Sequence, residues 1–124
     1  MARAAVLTGD LLFGSSVQGM LAAAGHEAEL LGGEDALRGA LLRGPETRPQ
    51  VVVADLTDHE LEAVQSVREL REEGLLDGVP VLAYYSHVEP GVRDLAEAEG
   101  FDMVVPRSRM AREGAAIVSA LLGG

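Results

Sequence analysis

Few residues in this chain combine the type and the placement that chemistry needs. Asp55 ends the apolar run "VVVA" at residues 51–54. A carboxylate there could accept a phosphoryl group, ligate a metal ion, or only cap the turn that follows. Asp10 stands just past a second apolar run, "AAVLT" at residues 4–8. It could serve as a turn residue or, with Asp55, hold a divalent cation through waters. Tyr85 and Ser86 bring hydroxyls to the end of a third run, "PVLAYY", and Arg107 follows a fourth, "MVV". Arg107 and Arg109 flank Ser108. Two readings apply to them: an anion-binding corner facing Asp55, or an ion pair from Arg107 to Asp55 or Asp10. The ion pair is the reading adopted here, because a fixed cation would neutralise the carboxylate and hold one conformation.

Other chemistries find little support. His26, His59 and His87 fall on separate links and lack the paired spacing of a zinc site, so they read as solvated loop residues. There is no cysteine, hence no disulfide, thiolate ligand or thiol nucleophile. All ten basic residues are arginine, which removes lysine Schiff-base chemistry. The stretch "GDLLFGSS" at residues 9–16 matches neither the P-loop nor the dinucleotide fingerprint and reads as a turn with a helix cap. Four aromatic residues are too few to favour a flavin, and no serine lies in a hydrolase motif.

The formal charge of −10 argues against nucleic acid, whose phosphates need a basic surface, and against an anionic membrane. The N-terminal "MARAAVLTGD" does not resemble a secretory leader, and no stretch has the length of a membrane span. The expectation is one cytoplasmic domain over residues 1–124, a length sufficient for a single core.

These candidates must be positioned by the elements around them. Four short apolar runs, at residues 4–8, 51–54, 80–85 and 103–105, and an alternating, half-exposed strand pattern at residues 26–31 alternate with helical patterns. Val17, Met20, Leu21 and Ala24 recur at helical spacing after a cap at Gly14-Ser15-Ser16. Glu34 and Asp35 open a second helix, residues 58–73 carry a third, Val92, Leu95 and Ala96 mark a fourth, and residues 112–122 a closing one. Alternation of this kind predicts an α/β fold, (βα)5, with a parallel sheet between two helical layers. In such sheets ligands and chemistry collect at the carboxyl ends of the strands, which is where Thr8, Gly9, Asp10, Asp55, Leu56, Tyr85, Ser86, His87, Pro106 and Arg107 fall.

The stretches "RPQVVVADL", "GVPVLAYYSH", "AEAEGFDMVVPR" and "LAAAGHEAE" resemble, in spacing and without internal gaps, the response-regulator receiver domain of two-component signalling, a CheY-like, flavodoxin-like fold. The resemblance covers essentially the whole chain and implies a three-layer sandwich with strand order 2-1-3-4-5. It implies Asp55 as the phospho-acceptor candidate. The family's acidic metal-binding pair falls on Thr8 and Gly9, so both carboxylates are missing, with Asp10 one residue away. The switch hydroxyl falls on Tyr85, with Ser86 adjacent. The family lysine falls on Arg107, whose forked guanidinium is not a like-for-like substitute. The aromatic reporter on strand five is Val104. So many departures imply a pseudo-receiver that keeps the scaffold and has lost most of the switch.

The resulting expectation is a non-enzymatic signalling or protein-interaction module. It would not be phosphorylated in the ordinary magnesium-dependent way and would need no cofactor. A protein partner, or a second copy in a homodimer, would dock on the face of helix four, strand five and helix five. No effector domain follows, so output would pass through that partner. The alternatives are an active stand-alone response regulator, phosphorylated on Asp55 by a histidine kinase with Asp10 helping to hold Mg2+, and a small-molecule-binding flavodoxin-like domain using the same crevice.

Overall fold

The computed structural model describes residues 2–57, 60–86 and 91–123. Five strands, β1 (Arg3–Leu7), β2 (Glu27–Leu31), β3 (Val51–Asp55), β4 (Val81–Tyr85) and β5 (Met103–Pro106), alternate with α1 (Leu11–Ala23), α2 (Glu34–Leu41), α3 (Glu60–Glu72), α4 (Val92–Ala98) and α5 (Arg107–Leu121). All neighbouring strands pair in parallel, and the sheet order is β2-β1-β3-β4-β5.

The strands alternate between two cores because successive side chains point to opposite faces. On one face Ala4, Val6, Val51, Val53, Leu82 and Tyr84 pack against Val17 and Leu21 of α1 and Met110, Ile117 and Val118 of α5. On the other, Ala5, Leu7, Val52, Ala54, Val81, Ala83 and Tyr85 pack against Leu37 and Leu41 of α2, Val64, Val67 and Leu70 of α3, and Ala96 of α4. Every residue of β3 and of β4 is buried, as expected for central strands covered on both sides. Each buried Val or Leu contributes about 1.5–3 kcal/mol, so the middle of the sheet dominates stability. The rigid scaffold therefore ends where Asp55 begins.

Two helix starts differ from the sequence expectation. Helix α1 begins at Leu11, not after Gly14-Ser15-Ser16, because the Asp10 carboxylate is its cap: Oδ1 accepts from the amides of Leu12 (3.1 Å) and Phe13 (3.0 Å). The stretch at residues 9–16 is thus a turn and the first coils of a helix. Gly14 lies inside it, and its hydrogen faces Thr8; a Cβ there would stand 2.8 Å from Thr8 Cγ2 and 3.4 Å from Leu30 Cδ2. Its role is close approach, which brings α1 down onto the end of β1. Helix α5 begins at Arg107, five residues before the predicted start. Pro106, with ψ 151°, is its extended N-cap and needs no amide partner. Arg107, Arg109, Met110 and Ala111 are good helix formers, and Met110 is fully buried. Among the described residues no helix is long and apolar enough to cross a membrane.

Candidate functional site

The carboxyl ends of β1 and β3 lie side by side, since Val6 pairs with Val53 and Leu7 with Ala54. One step further along, Thr8 meets Asp55, and both are buried. The Thr8 hydroxyl donates to Asp55 Oδ2 at 2.5 Å. The same oxygen of Thr8 accepts the Asp10 amide at 2.9 Å. Asp55 Oδ1 accepts both the amide (2.7 Å) and the hydroxyl (2.5 Å) of Thr57. Hydrogen bonds to a charged carboxylate are short and strong, and both oxygens of Asp55 are committed to them. Asp55 also caps its own turn, because an Asp side chain bonds readily to the amide two residues on.

Asp10 is committed as well. Besides its capping bonds, Oδ2 lies 3.1 Å from Nη2 of Arg107. The backbone amide of Phe13, above all, holds the Asp10 carboxyl below its ordinary value of 3.8; the Arg107 charge and the Leu12 amide act in the same direction, against partial desolvation. The Arg107 guanidinium stacks 4.0 Å above the Phe13 ring. Phe13 in turn meets Tyr84 edge-on, with ring centres 5.0 Å apart and planes at 62°. Tyr84 is the register partner of Asp55 across β3–β4. Its hydroxyl is buried beside Thr8 and Asp55 and makes no hydrogen bond of good geometry among the described residues. Burial, and then the Asp55 charge, push that phenol well above its ordinary value of 10.0.

The structure thus gathers Thr8, Asp10, Asp55 and Arg107 and leaves other candidates apart. Arg107 pairs with Asp10, not with Asp55. Arg109 lies along α5 and pairs with Glu113 at 3.5 Å, so no two-arginine anion corner forms. Tyr85 points into the α2–α3–α4 core, on the opposite face of the sheet from Tyr84. Both tyrosines are buried, and it is Tyr84 that lies beside Asp55. Ser86 is exposed, while Val104 is buried in the α2–α3–α4 core. His26 is not a free loop side chain: its Nδ1 accepts the Ala2 amide (3.1 Å) and its Nε2 lies 3.3 Å from Ser119 Oγ. His59 and His87 lie outside the described residues. Among those described, no group of three or more His, Asp or Glu side chains is placed to hold a metal ion.

Thr57 and Phe13 are the functional neighbours that sequence reasoning missed. A hydroxyl two residues after an Asp is the available signal for Thr57. Nothing in spacing alone identifies Phe13. Beside this cluster a cleft of about 720 Å³ opens between the β1–α1 link, the Gly32-Gly33 turn and α3. Its wall is acidic, with Asp10, Glu34, Asp55 and Glu69. Arg38 clamps part of it by pairing with Glu34 (2.9 Å) and Glu73 (2.6 Å).

No family model matches the sequence, and no curated protein matches it. Solved structures do. NtrX from Brucella abortus superposes with a TM-score of 0.82 at 18% identity, over 98% of this chain and 26% of that longer one. A response regulator from Thermotoga maritima gives 0.83 at 15% identity, covering 100% and 99% of the two chains. A response regulator receiver protein from Burkholderia phymatum gives 0.80 at 24% identity, covering 99% and 96%. These identities speak to the fold alone, and on that ground the chain has the fold of a response-regulator receiver domain.

Proposed function

We propose that this chain is a receiver-like module of two-component type that works by binding a protein partner and is not switched by magnesium-dependent phosphorylation of Asp55. The observation that carries this reading is the state of the Asp55 carboxylate. Phosphoryl transfer needs a carboxylate oxygen free to attack and a cation positioned to neutralise the incoming charge. Here Thr57 fills both acceptor positions of Oδ1, Thr8 engages Oδ2, and among the described residues no second carboxylate is turned toward them to hold a cation. The residues present do not fit a magnesium ion, which takes a near-octahedral set of oxygens. Asp10 spends one oxygen on the α1 amides and the other on a guanidinium. Thr8 and Gly9 supply no carboxylate.

Output then rests on surface recognition. The α4–β5–α5 face is the docking surface in this proposal. Between β5 and α5 it carries an apolar groove of about 290 Å³, lined by Met103, Ala116, Ile117, Ala120 and Leu121 with Arg109 at its edge. The net charge of −10 directs the proposal to a protein partner and away from nucleic acid.

Intact-mass spectrometry tests the reading. The protein is incubated with Mg2+ and a small phosphodonor, beside Asp55→Asn. The expected result is one unmodified species in both samples. A phosphoryl adduct on the native chain that is missing from Asp55→Asn would overturn it in favour of an active regulator.

A further inference from the structure

We infer that Arg107 is the resident cation of this site, and that a divalent metal can enter only by displacing it. The inference deepens the proposed function and rests on its reading of Asp55, but it concerns a different residue and a different measurement.

Three observations carry it. First, Arg107 is held from two directions: Nη2 lies 3.1 Å from Asp10 Oδ2, and the guanidinium carbon lies over the Phe13 ring, 4.0 Å from its centre. A planar, weakly hydrated guanidinium suits both contacts at once, lying over the ring while its fork reaches the carboxylate; a compact, strongly hydrated ammonium could make either contact but is less suited to holding both. Second, the support under Arg107 is rigid. Phe13 rests edge-on against Tyr84, which is fully buried near the carboxyl end of β4. The cation is therefore positioned by the sheet itself. Third, Arg107 partly offsets the negative charge around it. Asp10 and Asp55 bring two negative charges into the end of the sheet, linked through Thr8, whose hydroxyl bonds Asp55 and whose oxygen receives the Asp10 amide. Arg107 supplies one positive charge there without needing oxygen ligands. A second, doubly charged cation would face both the guanidinium repulsion and carboxylate oxygens that are already engaged.

Arg107 also ties together distant parts of the chain. It opens α5, while Asp10 opens α1, so the pair locks the starts of both helices on the same face of the sheet. Displacing it would free both helix starts together.

The test uses Mn2+ as the probe, with paramagnetic broadening of the amide NMR signals of Thr8, Asp10 and Asp55 as readout. The native protein is expected to show no saturable broadening at millimolar Mn2+. Arg107→Gln, which keeps a planar polar group but removes the charge, is expected to bind roughly tenfold more tightly, with broadening centred on Asp10 and Asp55. Arg107→Lys, which keeps the charge, should stay close to the native protein. Saturable Mn2+ binding at these amides in the native chain would overturn the inference, as would an Arg107→Gln response equal to that of the native chain. The native titration decides the matter even if Arg107→Gln folds poorly. The outcomes separate from those of the phosphodonor test: Mn2+ binding without an adduct overturns only the role of Arg107, and an adduct without Mn2+ binding overturns only the reading of Asp55.

Discussion

At the scale of single residues, the site turns on hydroxyl groups. A threonine stands just past β1, and its hydroxyl serves Asp55 on one side and Asp10 on the other. Thr8→Val is nearly isosteric and removes both bonds. It should cost about 1–3 kcal/mol in urea denaturation, because it leaves a buried carboxylate oxygen with one partner fewer. Tyr84 presents the opposite case. Its hydroxyl is buried without a hydrogen bond of good geometry among the described residues, so Tyr84→Phe should leave stability unchanged or raise it by about 1 kcal/mol, read as a higher melting temperature. These roles were hard to read in advance. Thr8 looked like a loss when placed against a family pattern, since a single position does not show which side chain it faces across strands. Tyr85 looked like the relevant hydroxyl until alternation along β4 placed it on the other face.

At the scale of elements, the sheet and the starts of α2 and α4 were legible, and the starts of α1 and α5 were not. Runs such as Val51-Val52-Val53-Ala54 have one physical explanation, burial on both faces, and β1, β3, β4 and β5 fall where such runs occur, while the edge strand β2 falls on the alternating stretch at residues 26–31. The start of α1 was hidden because Asp10 can be read as turn, metal ligand or cap, and only geometry separates these. The start of α5 was hidden because Pro106-Arg107-Ser108 reads as a loop, while a proline in fact suits an N-cap. Gly14 shows the same ambiguity: in the sequence it resembles a helix boundary, yet it is an interior contact. Gly14→Ala should therefore destabilise the protein by about 1–3 kcal/mol, although alanine is the better helix former. The added methyl would push directly on Thr8. Chemical shifts of Thr8 and Asp55 should move more than those of the α2–α3 core.

At the scale of the whole molecule, acidic groups set the pH response. Arg43 holds Glu29 below its ordinary value of 4.5, and Arg38 does the same to Glu34 and Glu73. Asp10 is lowered by the α1 amides, that of Phe13 first. A group lowered on folding contributes stability that is present above its unfolded value and lost as pH falls through its folded one. The protein should therefore lose stability on acidification below about pH 4.5, where the lowered groups take up protons. Glu69 acts in the opposite sense. Glu34 beside it raises its value, so its contribution is present below 4.5 and lost as pH rises through the raised value. Glu69→Gln should then raise the melting temperature at neutral pH and flatten that part of the profile. These groups are exposed or half-buried at the surface, so the effects should shrink with added salt.

The account's central claim is that Asp55 is a bonded structural carboxylate in a receiver fold and not a switch. Amide NMR spectra recorded with and without Mg2+ and beryllium fluoride, a phosphoryl mimic, test it most directly. The account predicts superimposable spectra at Thr8, Asp55, Thr57 and Tyr85, for the native protein and for Asp55→Asn alike. Saturable shifts at those residues in the native protein, abolished by Asp55→Asn, would contradict it.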